Sequence, residues 1–190
     1  MNTFLYESDV CSSDDTSAYY SEVYANQLDK SILHFNSNLD DSKISQDEFS
    51  REVQTLVFEK MNELRVKEKL PIYMESSYLS SIGTIRAEEC SIKWDHIRPN
   101  SNQHGYELIE PSFSRTNGEN LFTITLFDDE IPGENITAEY LANECINGWW
   151  NSNTHHKLMM SKNFNSIGIG VYFNEVNRKY TIAAMFGLKE

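Results

Sequence analysis

The chain has 190 residues, enough to bury a substantial core without disulfide staples, and it carries 16 basic against 29 acidic side chains, a net charge of −13. This charge argues against nucleic acid as a partner, because such binding needs a basic surface, and against adsorption to anionic lipid by charge alone. No stretch has the apolar length that spans a bilayer. The length fits one domain with a tail or one large domain, and the composition leaves the oligomeric state open.

The three cysteines are too few for a disulfide framework. Cys11, Cys90 and Cys145 cannot all pair within one chain. A bridge between Cys90 and Cys145 is one interpretation, but two small buried thiols fit the pattern better.

The first 44 residues form an acidic, polar segment, with eight acidic residues against two lysines. Within it, residues 17–35 fit a helix because their apolar side chains recur at helical spacing. The first ten residues lack the basic start and long apolar run of a secretory signal. We therefore predict a tail over residues 1–44, partly helical or disordered, and a globular domain over residues 45–190.

Three helices are predicted in the domain. The first begins at Ser45, where Ser45 and Glu48 form a capping-box pattern ahead of a helical stripe of apolar residues. The second begins near Ser77, and a proline follows each of these two helices. The third covers residues 138–150 and is capped by Thr137.

The strands follow a long irregular segment over residues 100–120. Residues 121–127 are rich in β-branched and aromatic side chains, which is typical of a strand. Residues 166–173 and 179–186 are two further strands, and the asparagines between them suit a hairpin turn. With so few strands and no regular strand–helix alternation, the order predicts an α+β fold with an antiparallel sheet covered by helices.

Several signatures of enzyme sites are absent from the sequence. It contains no HExxH zinc motif, no GxSxG nucleophile elbow and no glycine-rich phosphate loop. The histidines instead lie in separate segments, with His96 after the second helix and His155 and His156 after the tryptophan pair. A site would have to be assembled from distant parts of the chain.

Six short motifs over about residues 46–187 resemble the CAP superfamily, the SCP-like group of cysteine-rich secretory, antigen 5 and pathogenesis-related proteins, and most of all its bacterial extracellular branch. Their order and approximate spacing match the family, and each motif alone is weak. They are "LRVKEKLPIY", "IRAEE", "DHIRPN", "NGENLF", "GWWNSNTHHKLMM" and "NFNSIGIGVYF". The resemblance implies a three-layer α-β-α sandwich with a cleft on one side.

The resemblance also implies a cleft in which two histidines meet acidic residues. Carried over by motif, these are His96, His155 and Glu119. Glu134, in the second "GEN" triplet, is the rival to Glu119, but its position just before a helix is explained by the helix dipole. The fourth family position, a glutamate in many animal and plant members, is Ser152 here, so the two-histidine, two-glutamate set is incomplete.

This residue set suits a weakly held zinc or another divalent metal, since neutral imidazoles and a carboxylate are common ligands of such ions. The same groups also fit a polar network that pins a loop to the core. Trp150, Ser152 and Arg98 are expected to line the cleft, and Arg98 is expected to bond carbonyls or a carboxylate of the loop. His156 is expected to face solvent.

The resemblance leaves three functions open. The first is a secreted or cell-surface binding module whose His/Glu cleft holds a divalent metal and a lipid, sterol or peptide ligand. The second is a metal- or histidine-dependent hydrolase, peptidase-like, that uses His96, His155 and Glu119 around a water molecule. The third is a purely structural interaction domain. Since no nucleophile stands out, the sequence favours a binding protein over an enzyme.

Overall fold

The computed structural model describes residues 45–110, 113 and 117–189. The predicted tail over residues 1–44, with its predicted helix at 17–35, lies outside the described residues. No helix among the residues described is long and apolar enough to cross a membrane.

The described chain forms four α-helices, one 3₁₀ helix and four strands. The three predicted helices are confirmed, and each begins at a side chain that accepts a backbone N–H of its first turn: Ser45, Ser76 and Thr137. In chain order the elements are α1 (Gln46–Lys67), β1 (Met74–Glu75), α2 (Ser77–Ile92), a 3₁₀ helix (Gly105–Leu108), β2 (Gly118–Thr125), α3 (Ala138–Asn151), α4 (Asn153–Met159), β3 (Ser166–Asn174) and β4 (Lys179–Gly187).

The strands form one sheet in the order β1-β3-β4-β2. β3 and β4 form the predicted antiparallel hairpin, and β2 pairs antiparallel with β4. Two details differ from the prediction. The two-residue strand β1 was not predicted, and it adds one parallel pairing to β3. β2 begins at Gly118 rather than residue 121, so Glu119 belongs to the strand and not to the preceding loop.

Helices cover both faces of the sheet, as the predicted α-β-α sandwich requires. The alternation of side chains along β4 shows this directly. Tyr180, Ile182 and Phe186 belong to the main core under α1 and α3. Ala183 and Met185 belong to smaller clusters under α2. The molecule therefore has an α2 layer on one face and an α1–α3 layer on the other.

The two glycines of β3 let α2 approach the sheet closely. A Cβ built on Gly168 would lie 2.0 Å from the Ser80 nitrogen, and one built on Gly170 would lie 1.9 Å from the Gly83 carbonyl carbon. Backbone atoms cannot yield at such distances, so side chains are excluded at both positions. The "IGIG" motif thus sets the spacing between α2 and the sheet.

Two polar residues of α1 hold β1 and α4 in place. The Asn62 side chain donates to the Tyr73 carbonyl and accepts from the Tyr73 N–H. This pairing occupies backbone groups beside the sheet edge that could otherwise accept another strand. Arg65 is buried and donates to the carbonyls of Met159 and Ser161 at 2.7 and 2.9 Å, so it ties the end of α4 to α1.

Cys90 and Cys145 are free and buried, so the bridge between them is absent and the interpretation as buried thiols is confirmed. They lie in different core clusters, Cys90 in the α2 layer and Cys145 in the main core. Burial raises the pKa of the Cys90 thiol to about 12 and that of Cys145 well above its usual range, so neither is a thiolate at neutral pH.

Candidate functional site

His96, Glu119 and Arg86 form a compact group in the α2 layer. His96 lies in the turn after α2, and its Nδ1 is 2.8 Å from Oε1 of Glu119. Arg86, in the middle of α2, donates through Nε to Oε2 of Glu119 at 2.7 Å and through Nη2 to Oε1 at 3.2 Å. The predicted contact between His96 and Glu119 is therefore present, and Arg86 is a third member that the sequence analysis did not identify.

The Glu119 carboxylate is ionised although it is buried. Burial opposes its charge, but the hydrogen bond from His96 and the charge of Arg86 outweigh this effect and hold the pKa of Glu119 below its usual value. Burial would likewise lower the pKa of Arg86, but the Glu119 carboxylate raises it. The pair is thus a buried ion pair with both charges hydrogen-bonded.

An ionised carboxylate fixes the tautomer of His96. A carboxylate can only accept a hydrogen bond, so Nδ1 of His96 carries the proton. In the neutral ring, the lone pair then lies on Nε2. The His96 side chain is 14% exposed, while the Glu119 side chain is 1% exposed, so the histidine is the member of the pair that a ligand can reach.

The ion pair is sealed by the 3₁₀ segment. A Cβ on Gly105 would lie 1.9 Å from Arg86 Nε and 2.1 Å from Glu119 Oε2, so the Gly105 backbone rests directly on the pair. The Gly105 N–H also donates to the His96 carbonyl at 2.9 Å. Glycine at this position therefore keeps water away from the pair and holds the His96 turn against it.

The hydrogen-bond network extends through Glu89 of α2 to Arg98, which lies in the turn after the helix. Glu89 accepts from Nη1 of Arg86, and Arg98 donates to both Glu89 oxygens, with the Nη2 contact at 2.6 Å. The carboxylate that Arg98 binds in this network belongs to α2. The expected bond of Arg98 to the loop stays a prediction. Its contacts fasten the turn that carries His96 to the helix.

His155 lies in α4 and is 1% exposed. Its carbonyl accepts a hydrogen bond from Nδ2 of Asn120 at 3.1 Å. Asn120 follows Glu119 in β2, and because side chains alternate along a strand, the two point to opposite faces of the sheet. His155 and His96 therefore both contact β2, His155 through Asn120 and His96 through the preceding residue, Glu119. The meeting of both imidazoles at one ligand stays a prediction.

The two adjacent tryptophans, Trp149 and Trp150, make different contacts. Trp149 is buried, and its indole N–H donates to the Leu121 carbonyl at 2.9 Å, which protects the outer edge of β2. Trp150 is partly buried and packs against the ring of His156 at 4.3 Å between centroids. His156 is accordingly half-buried rather than fully in solvent. Ser152 joins α3 to α4, and its hydroxyl contacts that of Thr154.

A recess next to His96 has a volume of about 10 Å³, room for about one water molecule. Its walls are Trp94, Asp95, His96 and Leu121. The predicted cleft residues Trp150, Ser152 and Arg98 are not among the residues that line it. Trp94 and Asp95 were not predicted as site residues, although Trp94 immediately precedes the "DHIRPN" motif and Asp95 is its first residue. The signal for Arg86 was the "IRAEE" motif, to which no role had been assigned.

The fit of a divalent metal to this arrangement is poor. Within the described ranges, no three His, Cys, Asp or Glu side chains stand together in a group that could hold a metal ion. Both oxygens of Glu119 already bond Arg86 or His96. A metal bound by Glu119 would compete with a buried arginine, which is a costly exchange.

Comparison with known proteins identifies the family. The family model described as "CAP: Cysteine-rich secretory protein family" matches residues 58–186, inside the predicted domain. No curated protein matches the chain significantly.

Two of the solved structures with the same fold come from bacteria. An outer surface protein from Borrelia burgdorferi is 18% identical, with a TM-score of 0.59, over 78% of this chain and 98% of its own. An extracellular protein containing a SCP domain from Bacillus anthracis str. Ames is 19% identical, with a TM-score of 0.55, over 77% of this chain and 44% of its own. At these identities the likeness shows the fold alone. The family match, the α-β-α sandwich and the ordered motifs together show that the chain belongs to the CAP family of cysteine-rich secretory proteins.

Proposed function

We propose that this chain is a secreted or cell-surface CAP domain that acts as a binding module, with His96 as the residue that meets the ligand. The observation that carries the proposal is the 2.8 Å contact between His96 Nδ1 and a Glu119 carboxylate that Arg86 fixes in place. Such support orients the imidazole before any ligand arrives, which lowers the entropic cost of binding. The outer-surface and extracellular proteins of the same fold are consistent with the proposed location.

The size of the recess favours a small polar group as the part of the ligand that enters. A volume of about 10 Å³ accommodates a carbonyl or carboxylate oxygen but not a sterol or an acyl chain. A peptide could place such an oxygen against His96 while the rest of it lies across Trp94. Among the residues that the structure describes, the recess at His96 is too small for a lipid, so of the two ligand classes we favour the peptide.

The hydrolase alternative has one supporting feature, the histidine–carboxylate pair, which resembles the base of many hydrolytic sites. Among the residues that the structure describes, the thiol beside the pair is no candidate nucleophile, since Cys90 has a raised pKa and is buried against Arg86. The recess walls contain no serine, threonine or cysteine among the described residues. These contacts favour binding over covalent catalysis.

Zinc or another divalent metal at His96, Glu119 and His155 stays a prediction. Isothermal titration of ZnCl₂ into the wild type, His96→Ala and His155→Ala tests it. Uptake that both substitutions abolish supports the metal site, and equal behaviour of all three proteins removes it.

The binding proposal is tested with an immobilised library of short peptides. We expect the wild type to retain a subset that His96→Ala binds at least about tenfold more weakly, a loss of about 1.4 kcal/mol. His156→Ala is the matched control, because His156 contacts Trp150 rather than the recess. If His96→Ala and His156→Ala bind the library alike, the recess is not the binding site. Turnover of library peptides by the wild type, lost in His96→Ala, would favour the hydrolase.

A further inference from the structure

An apolar groove runs along the outer side of α1, in the helix layer opposite the His96 site. Its volume is about 540 Å³, within the range of sites that hold substantial ligands. Two large apolar side chains at its edge are well exposed, Val66 at 60% and Ile72 at 58%. Exposed apolar surface with a polar rim is typical of an interaction site. The lining residues are Phe58, Glu59, Asn62, Glu63, Val66, Lys67 and Ile72.

The groove has the shape that a helix fills. All of its lining residues except Ile72 belong to α1, and they recur four apart, in one row from Phe58 to Val66 and a second from Glu59 to Lys67. Rows of this kind are the ridges between which a second helix packs. The row from Phe58 to Val66 rises by about 12 Å along the axis, which matches about two turns of a partner helix.

An added strand fits this surface less well than a helix. A peptide that extends a sheet needs free backbone N–H and C=O groups at the sheet edge. Beside the groove, the Asn62 side chain already bonds both of these groups of Tyr73, at 2.8 Å to the N–H and 3.1 Å to the carbonyl oxygen. The groove therefore presents side chains at this point, which an amphipathic helix recognises through its own apolar side.

The charged rim of the groove sets the sign of the partner. Glu59 and Glu63 lie one turn apart on the same ridge, and both are exposed. Among the residues that the structure describes, neither carboxylate takes part in an ion pair. Like charges at this spacing destabilise a helix, so a cation bound beside them relieves their repulsion. A helix with lysine or arginine along one border meets both carboxylates.

Charge also disfavours a second copy of this chain as the occupant. Each copy has a net charge of −13 and would bring the same two glutamates to the contact. A charge of this size keeps a protein monomeric through repulsion between copies. The same field attracts a basic partner and speeds its association.

We propose that the α1 groove is a docking site for an amphipathic helix of a basic partner protein. The apolar side of that helix covers Val66 and Ile72, and its basic border pairs with Glu59 and Glu63. Burial of the apolar edge supplies affinity, and the two carboxylates supply selectivity for a basic helix over an acidic one. Because the groove and His96 lie in different layers, both can be occupied at once.

Fluorescence anisotropy with a labelled synthetic peptide tests the proposal on the full-length chain. The probe is an amphipathic peptide of leucine and lysine, about 14 residues long so that it can form a helix on binding. Its reference peptide has glutamate in place of every lysine. We expect saturable binding of the leucine–lysine peptide, and at least about tenfold weaker binding of the reference. No saturable binding, or equal binding of the two peptides, would overturn the proposal.

Paired substitutions test whether the peptide binds in the groove. Val66→Ser with Ile72→Ser removes the apolar edge and should weaken binding of the leucine–lysine peptide at least about tenfold. The matched control is Ile92→Ser with Val176→Ser, because these apolar residues are also well exposed but lie at the end of α2 and in the β3–β4 turn. Equal binding by the two variants would overturn the proposal. So would a wild-type dimer in sedimentation velocity that the groove variant dissociates, since a second copy would then occupy the groove.

A second pair of variants separates the carboxylate contacts from the general attraction of an acidic protein for a basic peptide. Glu59→Gln with Glu63→Gln should weaken binding at least about fivefold. Glu88→Gln with Glu175→Gln removes the same two charges beside Tyr172, in the opposite layer, and should stay within about twofold of the wild type. Unchanged circular dichroism verifies the fold of each variant. Equal losses from the two pairs would contradict the docking site.

Discussion

Two arginines are fully buried among the residues that the structure describes, and their surroundings differ in kind. Arg86 in the α2 layer pairs with the carboxylates of Glu119 and Glu89. Arg65 in the α1–α3 layer has carbonyl groups for hydrogen-bond acceptors and lies 3.6 Å from the centre of the Tyr73 ring. The charge of Arg86 is neutralised by Glu119, which also bonds His96. The charge of Arg65 is stabilised by carbonyl dipoles and the face of the Tyr73 ring.

This difference separates a candidate site from an anchor. A buried ion pair is costly to desolvate and is seldom retained for stability alone. Glu119 of the ion pair bonds His96, which lines the recess, so the pair can orient the imidazole toward a ligand. The Arg65 guanidinium donates to carbonyls at the C-terminal end of α4, which have no partner within the helix. Burial of a charged side chain is therefore not enough to mark a site.

The largest effect is expected from Arg86→Met. It leaves the Glu119 carboxylate buried without its cation, which should cost about 3–5 kcal/mol of unfolding free energy in denaturant titration. The double variant Arg86→Met with Glu119→Gln removes both charges and should recover a large part of that loss. If the double variant is as unstable as the single one, the ion-pair description is wrong.

Arg65→Met should cost less, about 2–3 kcal/mol, because the groups left unpaired are neutral carbonyls and the Ser161 carbonyl keeps its bond from the Tyr73 hydroxyl. Adding Glu119→Gln should not rescue this variant, since the two sites lie in different layers and their effects should add. Rescue would show that the two arginines are coupled. Denaturant midpoints of the four proteins provide the comparison.

Acidification should act mainly through the buried Glu119, since the other ion-paired carboxylates with a lowered pKa in the described residues, Asp95 and Glu139, are much more exposed. The folded-state pKa of Glu119 lies below its ordinary value of 4.5, so its stabilisation is complete above that pH and is lost as the pH falls through the folded pKa. Each unit between the two pKa values contributes about 1.4 kcal/mol. Glu119→Gln should flatten the fall in unfolding free energy below pH 4.5, and Arg65→Met should keep the wild-type slope. Identical slopes in wild type and Glu119→Gln would contradict the assignment.

The smallest effect is expected at the edge of β2. Trp149→Phe removes the indole donor from the Leu121 carbonyl and should cost about 1–2 kcal/mol. Trp150→Phe is the matched control and should cost less, because its ring is partly exposed and packs on His156. A larger loss from Trp150→Phe would mean that the outer tryptophan supports the site.

Local signals in the sequence were sufficient for most of the fold. Ser45 and Thr137 precede apolar stripes and do cap α1 and α3. The motif at Gly168 and Gly170 marks a strand that a helix approaches closely. β1 could not be predicted, because two exposed residues show no alternation and depend on pairing with β3 for their strand conformation.

The site was predicted less completely, for a physical reason. Gly118, Glu119 and Asn120 have low strand propensity, and only the pairing with Phe186, Met185 and Ala184 of β4 places them in the sheet. Arg86 looks like a surface residue of a helix, since its ion pair spans 33 positions of sequence. Family motifs located His96 and Glu119, and the "IRAEE" motif contains Arg86, but the ion pair of Arg86 with Glu119 is evident only from the tertiary structure.

The most direct test of the central claim is the tautomer of His96, measured by long-range ¹⁵N–¹H correlation NMR at a pH where the ring is neutral, with the signal assigned by its loss in His96→Asn. The account predicts the Nδ1–H tautomer in the wild type, held by the Glu119 carboxylate. It also predicts a shift toward the Nε2–H form in Glu119→Ala. An Nε2–H tautomer in the wild type would contradict the orientation of His96 on which the proposed binding site depends.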